Sequence, residues 1–359
     1  MRIAQVAPLW ESVPPPAYGG IELVVGLLTD ELVRRGHDVT LFASGDSTTD
    51  AKLSSVHPRA LRLDAAVKEY SVYEALQLSH VCQRAAEFDI IHSHMGCSAL
   101  PYAKLIKVPT VHTLHGIFTS DNTKLYQHAK EQPYISISNA QVADLDLSLN
   151  CVATVYNAID VNRHRFFPAA DEPPYLAFLG RMSPEKGPQH AIAIAKQAGL
   201  PLKMAGKVDL VDEEFFDREV KPLIDGQQIQ FLGEANHVQK NELMGRAIAT
   251  LFPITWREPF GLVMIESMAA GTPVVAMRLG STPEVIAHGE TGYLCDTIEQ
   301  CVRAVQDIRK LDRQTCRDRV AARFSVTQMA DGYEAVYRKL ASGIASKNGH
   351  SRTPVAIPR

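Results

Sequence analysis

Apolar and polar positions along the chain form two series of short strand-like runs alternating with amphipathic helical stretches. Residues 3–7 make a short apolar run. After Gly19-Gly20, the residues Ile21, Val24, Val25, Leu28 and Leu32 recur at the spacing of one helical face. Arg34-Arg35-Gly36 supplies a basic last turn and a glycine stop, and residues 39–43 read as the next strand. A strand–helix–strand unit of this kind predicts a parallel sheet. A helix is expected over residues 72–87 and further strands at 89–92, 110–113, 134–137 and 153–155, with another helix between the last two.

Residues 162–174 break the pattern. They hold Arg163, His164, Arg165 and two phenylalanines, then Asp171-Glu172-Pro173-Pro174, and read as an interdomain linker. The alternation then restarts, with strands at 175–180, 202–205, 228–232, 249–252 and 274–276 and helices at 188–198, 240–246 and 262–270. A last helix over 326–340 carries Met329, Tyr333, Val336, Tyr337 and Leu340 on one stripe. The polar residues 346–359 are expected to be disordered.

Length agrees with two α/β halves, because 359 residues exceed what one core supports. With 46% hydrophobic and 21% charged residues the chain is an ordinary globular protein, not a disordered, collagenous or coiled-coil one. A net charge of -3 carries no basic footprint, so no nucleic-acid partner is expected. The six cysteines form no C-x-x-C pair and read as reduced thiols. No apolar run reaches the length of a membrane span, and the start of the chain lacks the apolar region of a signal peptide. The expected location is therefore cytoplasmic, with any membrane contact peripheral, at the inner face.

In a doubly wound sheet ligands sit at the carboxyl ends of strands, beside helix N-termini. Three loops there carry candidate chemistry. Pro14–Gly20 places adjacent glycines before a helix, where the backbone can approach a ligand closely. Gly180-Arg181-Met182-Ser183-Pro184-Glu185-Lys186-Gly187 offers a planar donor fork and a compact cation that together could hold two phosphates. In Glu258-Pro259-Phe260-Gly261-Leu262-Val263-Met264-Ile265-Glu266 the proline keeps Glu258 extended and Gly261 opens a helix with free N–H groups. Glu266 lies further along that helix among apolar neighbours, where packing alone explains a carboxylate poorly.

His92, His94, His112 and His115 cluster at two strand ends without the spacing of a zinc motif, so no metal site is expected. His115, just past a strand and before Gly116, is the catalytic or substrate-facing candidate, whereas His92 and His112 read as satisfied histidines within strands. Asp144-Leu145-Asp146 matches the D-x-D of metal-dependent sugar transferases in form only, since residues two apart in a helix do not face each other.

The order of the Gly19-Gly20 loop, His112-Thr113-Leu114-His115-Gly116, Gly180–Gly187 and the two glutamates seven residues apart resembles retaining glycosyltransferase family 4. The resemblance covers nearly the whole chain up to about Leu340. It implies the GT-B fold, two facing Rossmann-like doubly wound domains with a cleft between them and a C-terminal helix crossing back. The division it implies is an N-terminal acceptor domain, 1–165, joined by the helix 326–343, then a donor domain, 166–325, and a disordered tail, 344–359. Arg181 and Lys186 would bind the donor diphosphate, assisted by the N–H groups of Phe260, Gly261 and Leu262. Glu266 would accept from the ribose hydroxyls, Glu258 would hold the donor sugar, and the loop Phe231-Leu232-Gly233-Glu234, through Leu232 and Gly233 above all, would contact the base. His115 and Gly20 would reach across from the N-terminal domain. The catalytic set implied is His115, Glu258, Arg181 and Lys186.

The implied reaction moves a hexose from a nucleoside-diphosphate sugar, UDP-glucose first and GDP-mannose second, to a glycan or lipid-linked acceptor in bacterial polysaccharide biosynthesis. It needs no metal and no cofactor. Acceptor contacts are expected in residues 14–18, 44–68 and 118–132. A nucleotide-sugar 2-epimerase of the same fold is the alternative.

Overall fold

The computed structural model describes residues 1–17, 19–143, 145 and 147–348, with side chains to residue 342. The first sheet holds β1 (Arg2–Val6), β2 (Asp38–Phe42), β3 (Lys52–Ser54), β4 (Ile90–Ser93), β5 (Thr110–Leu114), β6 (Tyr134–Ser136) and β7 (Cys151–Thr154), in the order β3-β2-β1-β4-β5-β6-β7. The second holds β8 (Leu176–Leu179), β9 (Leu202–Ala205), β10 (Ile229–Phe231), β11 (Ala249–Phe252), β12 (Val274–Met277) and β13 (Gly292–Cys295), in the order β10-β9-β8-β11-β12-β13. Every strand pair is parallel. Both sheets reverse their winding beside the first strand, between β1 and β4 and between β8 and β11, which is where a doubly wound sheet opens a crevice.

The central strands β1, β4 and β5 are buried on both faces, and they carry Gln5, His92, His112 and Thr113 into the interior along with their apolar residues. The Val326–Asn348 helix leaves the second domain and lays Met329, Ala330, Tyr333, Val336 and Tyr337 into the core of the first, against Ile3, Val24, Leu28 and Ile135. The expected tail from residue 344 is shorter than stated, since the helix runs to Asn348; the rest of that stretch, 349–359, lies outside the described residues. The helix expected between residues 137 and 153 is absent among the described residues, which form turns there. Its Asp144 and Asp146 lie outside them.

The interdomain linker is packed against the second domain. Phe167 is buried, its N–H bonds to Ala270, and its carbonyl accepts from Arg313, which also reaches Ala247 and Thr272. Arg317 donates to the carbonyls of Val161, His164 and Ala269. The chain crosses between domains twice, and the crossings run side by side: Ile159 N–H bonds to Phe324 O at 3.1 Å, and Ile159 bridges Ser325. A further tie is Glu284, whose carboxylate accepts from the N–H groups of Asn139 and Ala140, from the Asn139 side chain and from Tyr156.

Candidate active site

Two cavities of about 330 and 340 Å³ open between the domains. Gly20 on one side and Leu179, Gly180, Arg181, Leu262 and Val263 on the other line both. At Gly20 a side chain would meet Leu262 at 3.3 Å, so the domains touch here through a glycine.

Close backbone packing places the charged groups. Gly206 follows β9 with φ +150°, and a Cβ there would fall 1.7 Å from the Gly180 carbonyl oxygen. Gly187, at φ +70°, would put one 2.1 Å from the Pro253 carbonyl oxygen. Thr255 N–H and Oγ1 bond to the carbonyls of Glu185 and Pro184 at 3.0 and 3.1 Å. The loops after β8 and β11 are thus locked together. Lys186 Nζ sits 2.5 Å from Glu258 Oε2 and 4.7 Å from the Trp256 ring centre, and Trp256 Nε1 donates to the same carboxylate at 2.9 Å.

Arg181 faces three carboxylates: it pairs with Glu185, and approaches Asp209 at 3.6 Å and Asp212 at 3.4 Å. The Asp212 contact is made by its buried Nε, without hydrogen-bond geometry. The Leu262–Ala269 helix begins at Gly261, φ 78°, with no side-chain cap, leaving its N-terminal dipole end to the second cavity.

Glu266 lies in the first cavity at 4% exposure, paired with Lys240 at 3.1 Å. Burial pushes this carboxyl up, but Lys240 and His164 outweigh it and hold it below the ordinary carboxylate range. His115 lines the second cavity, with Nε2 2.8 Å from His94 Nδ1. Burial pushes its imidazole down to about 4, so it is neutral at physiological pH.

The structure therefore brings His115, Arg181, Lys186, Glu258, Phe260, Gly261 and Leu262 to one cavity and Glu266 to its neighbour, with Gly20 on the shared wall. Phe260 lines its cavity from the core, at 2% exposure. Of the loop expected at the base, Glu234 lines the first cavity, with Ala235 beside it, whereas Leu232 and Gly233 line neither: Leu232 is 55% exposed, and Gly233 gives its carbonyl to Gly206 N–H. The strand ends one residue earlier than expected, and the turn points Leu232 outward. His92 is hydrogen-bonded through both nitrogens, and buried His112 faces the Gln132 side chain. Among the described residues no group of three or more His, Cys, Asp or Glu could hold a metal ion. No helix there is long and apolar enough to cross a membrane.

Sequence reasoning missed Trp256, Lys240, His164, His237 and Lys207, all of which line the cleft. One signal was available: Trp256 is one of only two tryptophans and stands two residues before Glu258.

Comparison with known proteins agrees with this fold. Residues 18–163 match Glycosyltransferase Family 4 and residues 160–322 match Glycosyl transferases group 1. The chain is 26% identical to the glycogen synthase of Mycobacterium tuberculosis (strain CDC 1551 / Oshkosh), over 100% of this chain and 98% of that protein. It is 27% identical to the N-acetyl-alpha-D-glucosaminyl L-malate synthase of Bacillus anthracis, over 90% of this chain and 94% of that one. Among solved structures, AviGT4, a glycosyltransferase involved in avilamycin A biosynthesis, superposes with a TM-score of 0.72 at 26% identity, covering 96% of this chain and 98% of its own. With both halves matched in order and the two facing parallel-sheet domains in place, the chain belongs to the GT-B glycosyltransferases, a family 4 domain followed by a group 1 domain.

Proposed function

We propose that the chain transfers a hexose from a nucleoside-diphosphate sugar, UDP-glucose being the first donor to test, to a glycan or lipid-linked acceptor with retention of configuration and without a metal. It would act in the cytoplasm, in bacterial polysaccharide synthesis. The observation that carries the reading is the convergence of Arg181, Lys186 and the uncapped helix start at Gly261 on one cleft, beside Glu258 and Glu266.

In the proposed step the anomeric carbon–oxygen bond to the diphosphate breaks as a bond to the acceptor oxygen forms on the same face. The acceptor proton passes to a donor phosphate oxygen, and the nucleoside diphosphate leaves. Negative charge grows on the leaving diphosphate, and Arg181, Lys186 and the helix dipole are fixed charges aimed at it. Electrostatic stabilisation of this kind is usually the largest catalytic term. Glu258 would hold sugar hydroxyls, Glu266 would take the ribose, and closure of the cleft would exclude water.

A thermal-shift panel of UDP, GDP and ADP with their glucose and mannose sugars, run in EDTA, tests this. At a hundred times its dissociation constant the right nucleotide should add ~2.7 kcal/mol of stability. Absence of any shift, together with absence of transfer, would overturn the proposal. Conversion of donor alone into an epimer would replace it with the isomerase reading.

A further inference from the structure

His115, at the cavity wall, heads an unbroken line of side chains that runs into the core. His115 Nε2 contacts His94 Nδ1 at 2.8 Å, and His94 Nε2 contacts Gln5 Oε1 at 3.0 Å. Gln5 Nε2 donates to the Tyr337 hydroxyl at 2.9 Å, which lies 2.6 Å from His92 Nδ1. His92 Nε2 contacts Thr113 Oγ1 at 2.6 Å, and Thr113 Oγ1 donates to the Tyr333 hydroxyl at 3.2 Å. Five of the seven residues come from β1, β4 and β5 or the two residues following them. Tyr333 and Tyr337 come from the C-terminal helix that crosses back from the other domain. Gln5, His92, His94, Thr113, Tyr333 and Tyr337 are all at most 1% exposed, so water does not break the line.

Each group can be assigned in turn. Burial keeps His92 and His94 well below the ordinary imidazole range, so each ring is neutral and donates once and accepts once. Thr113 spends its one proton on Tyr333, so it must accept from Nε2–H of His92. His92 Nδ1 then accepts from the Tyr337 hydroxyl, which in turn accepts from the Gln5 amide. That turns Gln5 Oε1 towards His94, which donates through Nε2 and accepts through Nδ1. The proton shared by His94 and His115 therefore belongs to His115 Nε2.

We infer that this line runs in one direction, from His115 to Tyr333, and fixes His115 as the Nε2–H tautomer, leaving Nδ1 to accept a hydroxyl proton in the cavity. The inference rests on the proposed function only in identifying that hydroxyl as one of the donor sugar. Tyr337, Tyr333, Thr113, His92, Gln5 and His94 are positioning residues: none touches the reacting atoms, and they act by deciding which nitrogen of His115 is bare. The crossing helix thereby contributes to the acceptor-side wall of the active site through two phenols.

Protein labelled with ¹⁵N-histidine, with the His115 signals identified by their loss in His115→Gln, tests this by NMR at pH 7.5 without any donor. The expected spectrum shows His115 protonated at Nε2 and bare at Nδ1. A protonated Nδ1, or an imidazolium, would overturn the inference. Thr113→Val removes the directing hydroxyl and should let the line reverse, populating both tautomers of His115. Its kcat should fall about tenfold, on the order of one hydrogen bond, with nucleotide affinity unchanged. Thr113→Ser should restore both readouts, and Tyr337→Phe, which cuts the line at its middle, should repeat the effect. Variants with wild-type tautomer and kcat would overturn it. The tautomer is read in the free protein, so a chain that proved not to be a transferase would leave that measurement standing, and an active transferase with the other tautomer would sink this inference alone.

Discussion

Replacing Lys240 by Met separates two roles of Glu266, as one half of an internal ion pair and as a ligand for the ribose. Breaking a buried pair by removing one partner costs about 3–5 kcal/mol. Here Glu266 keeps 5% of its side chain exposed and Lys240 16%, so solvent reaches the pair from one side. The expectation is accordingly about 2–3 kcal/mol, or roughly 5–10 °C in the melting temperature of a domain of this size. The sign of the pH dependence follows from the depressed Glu266 carboxyl. A group held below its unfolded value stabilises above the ordinary carboxylate range, and that contribution is lost as pH falls through the lower, folded value. The deficit of Lys240→Met should therefore be full at neutral pH and shrink in acid, where the carboxyl is protonated in both proteins. The double variant Lys240→Met/Glu266→Gln leaves no unpaired charge and should recover most of the melting temperature. It should still bind nucleotide at least about tenfold more weakly, as expected when a charge-assisted hydrogen bond is removed. Calorimetric melting across pH and titration calorimetry with nucleotide read the two effects. A single variant within ~0.5 kcal/mol of wild type would refute the pair's structural weight, as befits a solvated surface pair. Wild-type nucleotide affinity in the double variant would refute the ribose role.

Three further perturbations probe the rest of the cleft. Burial pushes Glu22, beside the Gly19-Gly20 loop, up to about 7 from an ordinary 4.5. Between those values the folded state holds a proton the unfolded chain has released, so stability falls as pH rises, by up to ~3 kcal/mol. Glu22→Gln should match wild type near the acid end and exceed it at pH 8 in urea titrations, and identical slopes in both proteins would rule this out. Glu284→Ala removes four hydrogen bonds of 2.7–2.9 Å that tie the domains together. It should enlarge the radius of gyration in solution scattering and lower kcat/KM about tenfold or more, and unchanged scattering would show that the tie does not hold the cleft. Glu258→Ala should cut kcat about a hundredfold, the scale of one lost transition-state donor or acceptor, while nucleotide affinity measured by calorimetry stays near wild type. Equal losses in both would refute a sugar-facing role.

The sequence alone determined the regular elements whose apolar period is unambiguous and whose ends carry glycine or proline. The Pro188–Ala198 helix, β9 and β11 have the bounds their patterns predict. It also located the loops that carry charge, because glycines stand where backbone meets backbone, as at Gly187 against Pro253. It failed where polarity conceals burial. Arg313–Arg323 shows little apolar period, yet Arg313 and Arg317 turn inward to hold the carbonyls of the crossing segment, a packing that the polar composition of residues 162–174 does not reveal. Only the tertiary structure decided which polar groups meet. Lys186 and Glu258 are 72 residues apart, and His92 and Tyr337 are 245 apart. Hydrophobic periodicity records which face of an element is buried, because burial area is a property of the element itself. The partner of a buried polar group is set by the direction and distance of one side chain on another element, and those exist only once the sheets have wound and the last helix has crossed back.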